Sequence, residues 1–110
     1  MIKPGEKKTL SVGVYDYTVY ADAQKHGKYQ AKNKTSVYAS TDHSEQEVIL
    51  DPEMHPSVAA VSLLHELLHV CVNASGLEDC DGEERLVHSI APHLLEALRR
   101  NSWLVKEILG

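Results

Sequence analysis

The chain has 110 residues, 43% of them hydrophobic, and this length and composition suit one compact domain spanning residues 1–110. Sixteen acidic residues against eleven basic ones give a net charge of −5 at pH 7. That balance opposes the phosphate contacts on which sequence-independent nucleic-acid binding depends. The lysines at positions 25, 28, 32 and 34 lie in a polar stretch typical of a solvated loop. We therefore expect no nucleic-acid partner.

The sequence also bears on where the protein acts. Its first residues carry no apolar leader, and no run of about 18 apolar residues occurs, so neither export nor membrane insertion is predicted. We expect a cytoplasmic protein, in which Cys71 and Cys80 are free thiols.

The N-terminal half predicts a small, mostly antiparallel sheet. Residues 9–20 are rich in β-branched and aromatic side chains and predict one or two strands. Residues 35–40 predict a further strand, residues 41–44 a turn, and residues 47–50 the last strand.

The C-terminal half predicts two main helices. Pro56 can open a helix, and the residues after it keep a 3.6-residue period to about Asn73. Asp81 and Glu84 have the spacing of a capping box, which predicts a second helix that runs to about Arg100 and is kinked or broken at Pro92. Its expected buried stripe comprises Leu86, Val87, Ile90, Leu94, Leu95 and Leu98. With a short C-terminal helix at 103–109, the predicted class is α+β, a small antiparallel sheet packed on two main helices.

Residues 65–69 of the first predicted helix read His-Glu-Leu-Leu-His. His65 and His69 lie about 40° apart on the helical wheel, so both imidazoles project towards the same point, as a tetrahedral metal requires. Glu66 falls about 100° from His65, at the edge of that face, where a carboxylate can act as a general base without binding the metal. The pattern predicts a zinc site. The alternative is a chance match, with both histidines hydrogen-bonded in the core and Glu66 solvated.

A third zinc ligand is expected on the second helix. Glu84 is the first choice, because the apolar residues that follow continue its face towards the first helix. Glu83 is the alternative third ligand, and one member of the pair can instead close the capping box. His88, one turn beyond Glu84, is expected to orient a ligand or the substrate. The remaining candidate ligands are Cys80 and His88, and a thiolate would make the site more structural in character. We expect Cys71 to be a small core residue. Four histidines show no mutual spacing typical of a ligand set and are expected at the surface or in turns, namely His26, His43, His55 and His93.

Two segments together resemble the small gluzincin-like zincins, especially compact phage-encoded and ImmA/IrrE-like metallopeptidases. They are residues 63–69 (LLHELLH) and 83–95 (EERLVHSIAPHLL), and the resemblance extends over about residues 45–100. It implies a minimal zincin core that holds one Zn²⁺. The implied ligands are His65, His69 and Glu84, and the implied general base is Glu66. The strand Val48-Ile49-Leu50 would lie above the metal and pair with an extended peptide.

The resemblance implies a zinc metallopeptidase that hydrolyses peptide bonds in a peptide or protein substrate. One alternative is a non-catalytic module, in which zinc stabilises a small core and the protein binds or regulates a partner. Another is a zinc hydrolase of a different substrate class, such as an amidase, because the motif specifies activation of water and not the acyl group.

Overall fold

The computed structural model describes residues 2–3, 5–27, 38–77 and 81–110. Four strands precede three helices: β1 (Lys7–Val12), β2 (Tyr15–Ala21), β3 (Ala39–Asp42), β4 (Glu47–Leu50), α1 (Pro56–Ala74), α2 (Glu83–Arg100) and α3 (Ser102–Leu109). A further helical turn spans residues 23–27. The predicted α+β class, with two main helices and a short C-terminal one, is confirmed.

The strands form one mixed sheet in the order β1-β2-β4-β3. β1 and β2 make an antiparallel hairpin whose turn contains Gly13 at a φ of +60°, and β3 and β4 are also antiparallel. β2 and β4 pair in parallel, so the predicted antiparallel sheet needs correction at this pairing. Parallel neighbours require a long connection, and β2 is separated from β4 in the sequence by residues 22–46, which include β3.

The turn before β4 lies later in the chain than its composition indicates. Thr41 and Asp42, predicted to be in a turn, are the last residues of β3, and the turn occupies residues 43–46. The Asp42 carboxylate accepts hydrogen bonds from the backbone N and Oγ of Ser44, at 3.1 and 2.8 Å, and from the backbone N of Glu45 at 3.2 Å. Asp42 therefore organises the turn with its side chain while its backbone stays in the sheet. Of the strand predicted at 35–40, residues 35–37 lie outside the described residues.

The main core lies between the sheet and α1. Its buried members come from β2, β3, β4, the β4–α1 connection and α1: Tyr17, Val19, Ala39, Val48, Leu50, Met54, Ala59 and Val70. Neighbouring strand residues point to opposite faces, so Ile49 is buried on the other face of the sheet. On that face His26 is also buried, and its Nδ1 lies 3.0 Å from the Ser40 Oγ. The prediction of a surface or turn position for His26 is therefore wrong.

A polar contact fixes the C-terminal end of α1 to the sheet. The buried Tyr17 hydroxyl lies 2.7 Å from the His43 Nδ1 and accepts a 3.0 Å hydrogen bond from the Asn73 Nδ2. At the other end of α1, the His55 side chain caps the helix by accepting from the Ser57 backbone N. Length and composition alone would let α1 cross a membrane, a property shared by core helices of soluble proteins. In this fold α1 packs against the sheet and α2.

The buried face of α2 is narrower than its sequence predicts. It is continuous through Pro92, with Val87 and Ala91 buried. Leu86 and Ile90 were predicted to be buried, yet they are 59% and 42% exposed. Among the residues that the structure describes, the sheet packs mainly on α1, which agrees with the exposure of these two α2 side chains.

Candidate metal centre

Two histidines on successive turns of α1 bring one nitrogen each to a common point. The His65 and His69 Nε2 atoms lie 3.2 Å apart, and their ring centroids lie 4.9 Å apart. His65 is buried and His69 is half-buried. The predicted convergence of these two side chains is therefore present in the fold.

The helix α2 adds a carboxylate to this pair. Glu84 Oε1 lies 3.0 Å from the His65 Nε2, and Glu84 Oε2 lies 2.8 Å from the His69 Nε2. Ligands 2.0–2.1 Å from a tetrahedral zinc are about 3.3 Å from one another, so the three measured separations fall within about half an ångström of that geometry. Among the residues that the structure describes, His65, His69 and Glu84 are the group able to hold a metal ion.

Glu83 occupies a different position from Glu84. Its Oε2 lies 2.5 Å from the Nδ1 of His69, on the opposite side of the ring from Glu84. A carboxylate at Nδ1 holds the proton on that nitrogen and leaves the Nε2 lone pair for a metal, an arrangement common around zinc-binding histidines. The Glu83 side chain is 14% exposed, against 59% for Glu84. The geometry thus favours Glu84 as the third ligand, and that assignment stays a prediction.

The start of α2 explains how adjacent glutamates reach both sides of one imidazole. Consecutive helical residues diverge by about 100°, so Glu83 and Glu84 lie on either side of His69. The helix begins after Gly82, which has a φ of +82° and provides no side-chain cap. The predicted capping box between Asp81 and Glu84 is therefore wrong, because the Glu84 carboxylate contacts the histidines instead.

Glu66 is buried more deeply than its position on the helical wheel indicates. It is 3% exposed and lies on the line of α1 that faces the sheet, with Ala59, Ser62 and Val70. The Thr41 hydroxyl of β3 donates a hydrogen bond to the Glu66 Oε2. The expectation that this carboxylate lies at the edge of the face is corrected, and the alternative in which it is solvated is wrong.

Burial also shifts the pKa values of two groups at this centre. Burial raises the pKa of Glu66, against the opposing effects of the Thr41 hydrogen bond and of His69. Burial lowers the pKa of His65, although Glu84 acts in the opposite direction. A lowered pKa favours the neutral imidazole, which is the form that binds a metal.

His88 lies beside His65, and the sequence predicts that it orients a ligand or the substrate. Its ring centroid is 6.2 Å from that of His65, with an interplanar angle of 76°. The side chain is exposed. Its location agrees with the prediction, and its role stays a prediction.

The predicted substrate-side strand is wrong. Val48, Ile49 and Leu50 are buried, and β4 has β2 on one side and β3 on the other. It therefore has no edge with which to pair an extended peptide. The strand that meets the centre is β3, through Thr41, a residue that the sequence prediction missed because it was placed in a turn.

The other candidate ligands do not join the cluster within the part of the chain that the structure describes. His43 contacts Tyr17, and His55 caps α1. Cys71 is half-buried on α1, and His93 is exposed on α2. Cys80 lies outside the described residues.

Comparison of the chain with protein-family models, with curated proteins and with solved structures finds no match. The resemblance to small gluzincin-like zincins therefore depends on the motif residues and is a prediction about this chain.

Proposed function

We propose that this chain is a zinc-dependent metallopeptidase with His65, His69 and Glu84 as metal ligands. Glu66 is its general base. One observation carries the proposal: two imidazole nitrogens and a carboxylate, on helices that pack together, lie 2.8–3.2 Å apart. A set of three protein ligands is typical of catalytic zinc sites, which keep one position for water or substrate.

The buried Glu66 has the properties required of the base. A bound zinc would polarise the scissile carbonyl and lower the pKa of the attacking water. Thr41 donates a hydrogen bond to the Oε2 of Glu66, and in the proposed reaction the second carboxylate oxygen would take the water's proton and later deliver it to the leaving amine. Burial raises the pKa of Glu66, which makes its carboxylate a stronger base towards that water.

His69 and its outer partner support the same assignment. Glu83 accepts from the Nδ1 of His69, which fixes the imidazole in the orientation that presents Nε2 to the metal. Without this contact the half-buried ring is less restrained from turning about its Cβ–Cγ bond, which would move Nε2 away from the metal. The proposal therefore includes Glu83 as a residue that orients a ligand.

A second candidate function is a zinc-stabilised module that binds a partner without cutting it. The observation that favours it is that the ligands come from both α1 and α2, so a metal would hold together the two main helices of a small domain. In that case Glu66 has no chemical role, and His65 is needed for folding.

The variant Glu66→Gln separates the two candidates. We expect it to retain one zinc per chain by elemental analysis and to lose at least about 10²-fold in the hydrolysis of a quenched fluorogenic peptide library, as for removal of a general base. The matched control is Glu96→Gln, an exposed glutamate on α2 that pairs with Arg100. Wild-type rates in Glu66→Gln would refute the base assignment. An inactive wild-type protein that binds zinc, together with unfolding of His65→Ala, would identify the partner-binding module.

A further inference from the structure

Two residue pairs of equal spacing meet at the metal centre. His65 and His69 are four residues apart on α1, and Glu84 and His88 are four residues apart on α2. Residues with this spacing lie one turn apart on the same side of a helix. Two such pairs on packed helices present four side chains that can bind a metal, and a tetrahedral metal accepts four ligands.

The distances between imidazole rings place His88 slightly farther from His65 than a fourth ligand would lie. Two imidazoles bound to one tetrahedral zinc have their centroids about 5 Å apart. His65 and His69 have this separation, at 4.9 Å, whereas His65 and His88 are 6.2 Å apart. The His88 ring is therefore about 1 Å farther from the His65 ring than two ligands of one tetrahedral zinc would be.

The His88 side chain can cover this distance without disturbing the core. It is exposed, unlike the two histidines of α1. A rotation between staggered rotamers moves an exposed imidazole by more than the distance needed, at little energetic cost. Arg85 follows Glu84 directly in the sequence but lies on another side of α2, and a guanidinium has no lone pair to offer a metal.

We infer that His88 is a fourth protein ligand that closes the coordination shell at rest and leaves it when a substrate binds. This inference rests on the metal site of the proposed function and adds a form of regulation to it. With four protein ligands the site has the composition of a structural zinc centre. Displacement of His88 converts it into a three-ligand centre with a position for the substrate carbonyl. Access to the metal is thus controlled by a side chain of α2.

Cobalt(II) tests the inference, because its visible absorption is intense when four-coordinate and weak at higher coordination numbers. The full chain is loaded with cobalt as wild type, His88→Gln and His93→Gln, the last a control that removes another exposed histidine from α2. We expect intense absorption that acetohydroxamate changes little for the wild type and for His93→Gln. In His88→Gln water replaces the imidazole as a ligand, so the absorption maximum should shift and the spectrum should respond to acetohydroxamate. The zinc affinity of His88→Gln should fall by at least about 10-fold relative to the wild type and to His93→Gln.

Three results would overturn the inference. An unchanged spectrum and zinc affinity in His88→Gln would show that the imidazole does not bind the metal. The same unchanged spectrum with a lowered kcat would place His88 against the substrate instead. A wild-type chain that binds no cobalt would remove the proposed metal site as well. By contrast, hydrolysis retained in Glu66→Gln refutes the base assignment and leaves the role of His88 intact.

Discussion

Adjacent glutamates at the start of α2 should affect metal binding to different extents. Glu83→Gln keeps the shape of the side chain but removes the charge that faces the His69 Nδ1 at 2.5 Å. Loss of such an outer partner weakens metal binding by about 10–100-fold, equivalent to about 1.4–2.7 kcal/mol. The contact is short and only 14% of the Glu83 side chain is exposed, so we expect the upper part of that range. Glu84→Gln removes a ligand and should cost more.

The measurement is competition for zinc between the protein and a chromophoric chelator at pH 7 and fixed ionic strength. Glu96→Gln is the control, because this glutamate lies on the same helix, 58% exposed, and pairs with Arg100. Thermal unfolding in excess chelator shows whether the three variants are equally folded without metal. We expect zinc affinity to decrease in the order Glu96→Gln, Glu83→Gln, Glu84→Gln.

Two outcomes would contradict this reasoning. A larger loss from Glu83→Gln than from Glu84→Gln would reverse the two assignments and make Glu83 the ligand. Affinities equal to that of Glu96→Gln in both variants would show that neither carboxylate contributes to metal binding.

Two further predictions concern side chains of β3. Thr41→Val removes the hydroxyl that donates to Glu66, so kcat should fall about 10-fold or more with little change in KM, given about 1.5–3 kcal/mol for a hydrogen bond to a charged group. Steady-state kinetics should show recovery in Thr41→Ser. Asp42→Ala should lower the free energy of unfolding by about 1–2 kcal/mol at pH 7, measured by urea denaturation. Burial opposes ionisation of Asp42, but hydrogen bonds from Ser44 and Glu45 outweigh it and lower its pKa. The stabilisation is therefore complete above the unfolded value of about 3.9 and is lost as the pH falls through the folded one.

Each of these predictions has a result that contradicts it. For Thr41, an unchanged kcat in the valine variant would mean that the hydroxyl does not position the base, and failure of serine to restore activity would indicate a packing effect. For Asp42, the control is Glu45→Ala, because Glu45 contributes its backbone N to the turn. A stability difference between the wild type and Asp42→Ala that persists unchanged at pH 3 would exclude the carboxylate as its source.

The parts of the fold predicted from sequence are those set by local periodicity. The predicted end of α2 at Arg100 and the strand at 47–50 agree with the structure, because helix periods and short β-branched runs are local signals. The parallel pairing of β2 with β4 brings together residues far apart in the chain, and the alternation within a strand is the same whichever neighbour it pairs with.

The candidate metal centre also has parts that local sequence predicts and parts that depend on tertiary packing. The convergence of His65 and His69 follows from helix geometry alone. The periodicity of the later residues also predicts a second amphipathic helix that begins with a pair of glutamates. Whether Glu83 or Glu84 faces the Nε2 atoms of the two histidines depends on the orientation of α2 about its axis relative to α1, which a single sequence does not determine. The contact of Thr41 with Glu66 required the sheet as a whole.

The position of Glu83 and Glu84 at the first two residues of α2 has a thermodynamic consequence. Helix ends open more easily than helix interiors, and the N-cap residue here is Gly82, which has no side chain to cap the helix. The apparent affinity for a metal is therefore reduced by the fraction of molecules in which the first turn of α2 is unwound. Mild heat or urea should release a metal from this fold through local fraying, while the sheet and α1 are still intact.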